Sequence, residues 1–273
     1  MVDLLRLVRA HNLVVAGLGV FAGGWIALGR VGAPVPLVWA ALSGVGLGVA
    51  GNVLNDIWDE AGDRANGRID RPLAAGRVRR GSADLLVFGG AFLGLGTAAL
   101  VSGTVFALAC GALVLMAAYS PYLKRRGVAG NLTVALVAGF PLMYGALSVG
   151  RGAAGLVPWI LAGWLHFGRE VAKDLVDVPG DRVLGRRTVP ILAGETVGRN
   201  VARAILWSFI PASLALPALA GYGWWYFALA ALADVLVWRA GRALSGERYS
   251  VAVRHAKLAM PLGVAALVLG RVV

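Results

Sequence analysis

Asp56, Asp59, Glu60 and Asp63 fall within eight consecutive residues at the end of a long apolar run, in the stretch NVLNDIWDEAGDRANGRIDRPLAAG that spans 52–76. If the run continues as a helix, turning about 100° per residue, then Asn52, Asn55, Asp56, Asp59 and Asp63 share an arc of about 100°. Like charges so placed weaken a helix unless something joins them. A hard divalent cation does so, because it takes oxygen ligands. Magnesium takes only one or two protein carboxylates and fills its other positions with water and substrate phosphate. Manganese is a possible substitute. The pattern returns once, in REVAKDLVDVPGD at 169–181, where Glu170, Asp174 and Asp177 lie within about 60° of one another on a helix. Pro179 is expected to end that helix and leave Asp181 just beyond it. The two clusters hold eight of the fourteen acids in a chain of net charge +12. Acids concentrated in this way point to a metal site.

Bases are interleaved with the acids. Arg64, Arg68 and Arg71 follow the first cluster, Lys124 to Arg126 close a later apolar run, and Arg169, Lys173 and Arg182 run through the second. Such a face suits a polyanion held both by metal and by direct charge-assisted hydrogen bonds. No Walker-type loop or glycine fingerprint after a strand is present, so a nucleotide is not indicated, and neither a nucleic acid nor a protein partner is expected. The histidines, His11, His166 and His255, are scattered without zinc spacing. Cys110 is the only cysteine, which excludes an internal disulfide.

The elements that must position these residues are membrane helices. The chain is 59% apolar with a mean hydropathy of +0.75, above the half-apolar share of soluble domains. The reading is all-α: one polytopic membrane domain over 1–273, with nine spans at 13–28, 36–57, 83–101, 104–121, 129–149, 155–176, 203–220, 222–240 and 254–271. Arg6 and Arg9 ahead of the first run could open a signal peptide, but no small-residue cleavage site follows. Gly44, Gly48, Gly51, Gly90 and Gly94 are expected to let helix backbones approach closely. With a cytoplasmic N-terminus, 23 basic residues fall in cytoplasmic segments and 3, Arg30, Arg151 and Arg271, fall opposite. That split favours this orientation, with both acidic clusters at the cytoplasmic face and the remaining bases set against anionic lipid.

Asn55-Asp56-x-x-Asp59-x-x-x-Asp63, followed by Asn66 and Arg71-Pro72-x-x-x-Gly76, resembles the first aspartate motif of the UbiA superfamily of intramembrane prenyltransferases. Lys173-Asp174-x-x-Asp177-x-x-x-Asp181 resembles its second. The resemblance covers the whole chain. It implies a helical bundle around a cavity open sideways to lipid, with magnesium bridging the motifs and a prenyl pyrophosphate donor. Asn55, Asp59 and Asp63, with Asp174, Asp177 and Asp181, match the metal-facing positions, all but Asp181 also counted as catalytic. Asn66, Arg71, Lys124 and Lys173 match positions near pyrophosphate, and Asp56 and Glu170 stand behind them.

The run from Arg169 to Asp181, with Arg9-x-His11-Asn12, is similar to the archaeal-type digeranylgeranylglyceryl phosphate synthases. That implies a glycerol phosphate ether lipid as acceptor, its phosphate held by Arg9, Arg125, Arg169 or Arg182. An aromatic acceptor of quinone synthesis is the alternative, and a cation-coupled transporter the remote one. Transporters place such acids near mid-membrane, whereas these lie at helix ends beside arginines.

The orientation is checked by labelling in a Cys110→Ala background. Gly67→Cys is expected to react with an impermeant thiol reagent only from the cytoplasm and Gly152→Cys only from the other side; the reverse pattern would overturn the topology.

Overall fold

The computed structural model describes residues 2–65, 67–124, 126–183 and 185–273, and every regular element among them is helical. A short α1 (Val2–Leu7) leads into α2 (Ala10–Leu28), α3 (Val35–Ala65), α4 (Arg80–Ala99) and α5 (Gly103–Ala118), which ends in a π-helical turn at Tyr119–Leu123. Then come α6 (Val128–Ser148), α7 (Leu156–Val183), a short α8 (Val189–Ala193), α9 (Glu195–Leu219), α10 (Trp224–Ser245) and α11 (Tyr249–Val272). The nine long helices coincide with the nine expected spans. Seven are long and apolar enough to cross a membrane by that measure alone. The other two, α7 and α10, fall short because α7 carries Arg169, Glu170 and Lys173 into its apolar half, and α10 carries Asp234, Arg239 and three tryptophans.

Two long helices outrun their apolar segments. α3 continues to Ala65 and carries the whole first acidic cluster on regular helix. α7 runs through Pro179 to Val183, so the expectation that Pro179 ends the helix is corrected: Asp181 sits on the helix and is buried. Proline costs one hydrogen bond and strains against the carbonyl four residues back, and here the helix continues through that loss rather than stopping.

The bundle packs around two apolar cores. One gathers Val20, Leu37, Leu47, Val105 and Tyr144 from α2, α3, α5 and α6. The other gathers Ile26 with Leu161, Leu206, Val237 and Leu267 from α7, α9, α10 and α11. Both include α2, which touches α3, α6 and α11. Outside, Phe88, Phe92, Val114 and Leu219 are exposed, as suits side chains whose solvent is lipid. Several polar groups inside join helices or repair them. The Ser43 hydroxyl donates to the carbonyl of Gly94 at 2.7 Å and lies 2.8 Å from the Tyr144 hydroxyl, joining α3, α4 and α6. Pro217 strips the Ser213 carbonyl of its helical donor, and the Tyr226 hydroxyl replaces it at 2.7 Å.

A third, smaller cluster lies under the acidic end of α3. Leu7, Val53, Leu73, Val78 and Ala83 pack together. They seat α1 and the 67–79 loop against α3 and α4, and so fix the chain on either side of Arg71.

Close approach is greatest between α2 and α6. A Cβ on Gly23 would meet the Leu142 carbonyl oxygen at 1.9 Å, and one on Gly145 would meet that of Val20 at 1.9 Å. The five glycines singled out from the sequence also sit against neighbouring helices, Gly90 and Gly94 against α3 backbone and the others against side chains. Gly23→Ala is therefore expected to cost about 1–3 kcal/mol through forced separation of two backbones. Gly96→Ala, a position with open space around it, is expected to be neutral or slightly stabilising. Thermal unfolding in detergent measures both. Equal stability of the two variants would contradict the packing described.

Candidate functional site

The first acidic cluster is organised by cations from three other segments. Asp56 is buried, and its Oδ1 accepts from Arg9 Nη2 at 2.6 Å and from Arg71 Nη1 at 2.9 Å. Arg9 comes from the elbow between α1 and α2, where its backbone adopts φ 54° and ψ 56°. A non-glycine residue held in this region is strained. Asn52 Nδ2 fixes the elbow by donating to the Val8 carbonyl at 3.0 Å. Arg71 comes from the loop after α3. Its Nε is buried without a hydrogen-bond partner and lies 3.7 Å from Asp63 Oδ2. Arg68 Nη1 is 3.6 Å from the other oxygen of Asp63. Asp59 is paired with Lys124, which the π-helical turn after α5 delivers. Asn55 Nδ2 donates to Asp59 at 3.1 Å, while Asn55 Oδ1 accepts from the Ser120 hydroxyl at 2.6 Å. Two networks thus lie along the same end of α3: Asn55, Asp59, Ser120 and Lys124 form one, and Asp56, Asp63, Arg9, Arg68 and Arg71 the other. Asn66 lies outside the described residues.

The second cluster is held similarly along α7. Asp174 accepts from Asn131 Nδ2 of α6 at 2.7 Å. Asp177 pairs with Lys173 at 3.0 Å, one turn away. Asp181 pairs with Arg186 at 2.8 Å. Burial pushes the Asp181 carboxyl up from its ordinary range, and Arg186 opposes the shift. Glu170 is paired with its neighbour Arg169, whose Nε is buried and has no hydrogen-bond partner.

The π-helical turn links the two clusters. It gives Ser120 to Asn55 and Lys124 to Asp59 on α3, and it touches α6, whose Asn131 holds Asp174 of the second cluster. Four contributors escaped the sequence reading. Tyr119 and Ser120 open the turn that ends at Lys124, and Arg186 entered only within the count of cytoplasmic charges. Asn131 was missed altogether, although a buried amide in an apolar helix is itself a signal.

The donors suit a hard metal. All are oxygens, from one amide and five carboxylates: Asn55, Asp59, Asp63, Asp174, Asp177 and Asp181. Among the described residues no three acidic, histidine or cysteine side chains converge to cage an ion. An all-oxygen set is what magnesium accepts, taking one or two carboxylates and filling the rest of its sphere with water and phosphate.

Of the four arginines considered for an acceptor phosphate, Arg9 is engaged with Asp56 and Arg169 faces Glu170. Arg182 turns instead toward Glu195 of α9, at 4.0 Å. Arg125 lies outside the described residues.

Comparison with known proteins agrees with this geometry. Residues 16–260 match the UbiA prenyltransferase family. The curated digeranylgeranylglyceryl phosphate synthase of Halobacterium salinarum is 36% identical over 281 aligned positions, which take in 99% of this chain and 97% of that protein. Among solved structures, one of a digeranylgeranylglyceryl phosphate synthase in membranes shares the fold with a TM-score of 0.85 at 23% identity, covering 99% of this chain and 98% of the other. A UbiA homolog from Archaeoglobus fulgidus bound to GPP and Mg2+ has a TM-score of 0.58 at 17% identity, covering 97% of this chain and 99% of that one. A chain with two aspartate motifs at one end of a nine-helix bundle, matched along nearly its whole length, belongs to the UbiA prenyltransferase family.

Proposed function

We propose that this chain, acting as one bundle over its whole length, is a prenyltransferase that makes digeranylgeranylglyceryl phosphate. It moves a geranylgeranyl group from its pyrophosphate to the free hydroxyl of geranylgeranylglyceryl phosphate at the cytoplasmic face. The observation that carries the reading is the run of contacts from one motif to the other: the π-helical turn holds Asn55 and Asp59 through Ser120 and Lys124 and touches α6, whose Asn131 holds Asp174. Two acid clusters that face one space from separate helices suit a pyrophosphate held between them. The near full-length likeness to a synthase of that name supports the acceptor, as does the basic surplus around the site.

In the reaction, the allylic C–O bond of the donor breaks and pyrophosphate departs with the electron pair. The acceptor hydroxyl oxygen then bonds to the allylic carbon and gives up its proton. Asn55, Asp59, Asp63, Asp174, Asp177 and Asp181 would hold magnesium, which when bound supplies positive charge to the leaving group. Arg71, Lys124 and Lys173 add to that charge. Each already faces a carboxylate of the motifs, so each is aimed before substrate arrives, and charge placed in advance lowers such a barrier most. Asp56 holds Arg71 in that orientation. The apolar walls of the bundle keep water from the allylic cation. Arg169, with its free buried Nε–H, is the candidate for the acceptor's phosphate.

Asp59→Ala and Asp177→Ala are each expected to lower kcat by about 100-fold or more, and the double variant is expected to be little worse than either, because each change already opens the shared clamp. Losses that multiply would separate the two motifs into independent sites. Excess chelator is expected to abolish turnover and added magnesium to restore it, with manganese a partial substitute.

Acceptor identity is tested on a panel. Wild type is expected to prenylate geranylgeranylglyceryl phosphate far faster than 4-hydroxybenzoate. Arg169→Gln is expected to raise the acceptor KM about ten- to a hundredfold while the donor KM stays, the effect of one charge-assisted hydrogen bond to a remote phosphate. A preference for the benzoate would replace this reading with the quinone one.

A further inference from the structure

On the opposite side of α7 from the acids lies a groove of about 630 Å³. Its floor is apolar: Leu175, Val176, Pro179 and Val251. Its rim carries Arg182 from α7, Glu195 from α9, and Glu247, Arg248 and Ser250 from the turn into α11. At about 100° per residue, the lining positions 175, 176, 178, 179 and 182 centre on the face of α7 about 135° from that of Asp174, Asp177 and Asp181. The groove is therefore separate from the site already described and shares one helix wall with it.

Three observations mark it as built to take an anion. Arg248 has no ion-pair partner among the described residues, and Arg182 holds Glu195 only at 4.0 Å with both side chains largely exposed. Glu247 is already paired with Arg199, so the cations here exceed the acids. Glu247 also sits at φ 58°, a left-handed conformation that a non-glycine residue keeps only under constraint. The wall itself is weak, because Pro179 leaves the Leu175 carbonyl without its helical donor, and both residues line the groove.

Depth selects the kind of anion. In sequence the rim residues fall outside the apolar stretches 155–176, 203–220, 222–240 and 254–271, on the side rich in arginine, and residues so placed flank the membrane at headgroup level. Val176 and Val251 are each 39% exposed and offer an alkyl chain a path from the rim toward the bilayer core.

We infer that this groove binds the phosphate headgroup of an anionic membrane phospholipid between Arg182 and Arg248. The first methylenes lie on Val176 and Val251, and occupancy braces the turn of α7 that carries Asp177 and Asp181. A free phosphate would present the same charge but gain nothing from the apolar floor. Binding here is independent of which acceptor the enzyme uses.

The full chain is placed in nanodiscs of phosphatidylcholine alone or with a minority of phosphatidylglycerol. Retained lipid is read by native mass spectrometry and backbone protection of 176–183 by hydrogen exchange. Wild type is expected to retain phosphatidylglycerol and to show slower exchange in 176–183 when it is present. Arg248→Gln is expected to weaken retention about fivefold, the effect of one arginine at a lipid surface. Ser250→Trp, which fills the groove without changing charge, is expected to do the same. Arg254→Gln, an exposed cation outside the groove, is expected to leave retention unchanged. Equal loss in Arg254→Gln would reduce the effect to general surface charge and overturn the site, as would unchanged retention in Arg248→Gln and Ser250→Trp. Protection of 176–183 by inorganic phosphate in phosphatidylcholine alone would make the ligand a free anion and overturn the lipid assignment. Lipid retention without slower exchange would overturn the bracing.

Discussion

A carboxylate withdrawn from water must meet positive charge, or it gives up its own. Asp56 meets two guanidiniums on a single oxygen. One arrives from the elbow before α2 and the other from the loop after α3. Both segments are short and lightly held: α1 is six residues long, and beyond the small cluster around Leu73 the loop is tied mainly by exposed bonds such as that of Arg77 to Asp3. The buried acid is thus the point at which three stretches of chain are tied. The strained backbone of Arg9 persists because that tie over-determines it. Take the acid away and two like charges would face each other beside the site.

The same accounting runs through the rest of the active end. Asp59, Asp63, Asp177 and Asp181 each rest against a base. An ion pair drawn partly out of water loses much of its attraction to desolvation, so the value of these pairs lies elsewhere. In the proposed reaction these acids would hold the metal and these bases would face the pyrophosphate. Charges of both signs are present before the substrate, and little rearrangement is needed when it arrives.

Much of this was legible in the chain, and the reason is periodicity. Three- and four-residue spacing put Asn55, Asp59 and Asp63 on one helical face, and the structure keeps them on one helix. Hydropathy placed the nine long helices and charge asymmetry gave an expected orientation. What the spacing could not carry were pairings between distant segments. Arg9 and Asp56 are 47 residues apart, and Asn131 and Asp174 are 43 apart. Nothing local announces either. Pro179 was misread for a related reason: local geometry says that a helix stops there, and tertiary packing of α7 against α6, α9 and α11 overrules it. The π-helical turn at Tyr119 is equally invisible, since it is a one-residue slip in a helix whose apolar pattern continues.

The contact between α2 and α6 has a consequence for how the protein is made. α2 meets the membrane early, yet the backbone it touches at Gly23 and Gly145 lies more than a hundred residues downstream, and its other flank waits for α11. A ribosome delivers helices in order, and α2 is left with half of its surface against lipid or translocation machinery until the sixth helix emerges. The ring closes only when the last helix inserts. Assembly is therefore largely post-insertional, and the glycines that allow the closest approach in the finished bundle also present the smoothest surface for helices that must slide past one another to find it.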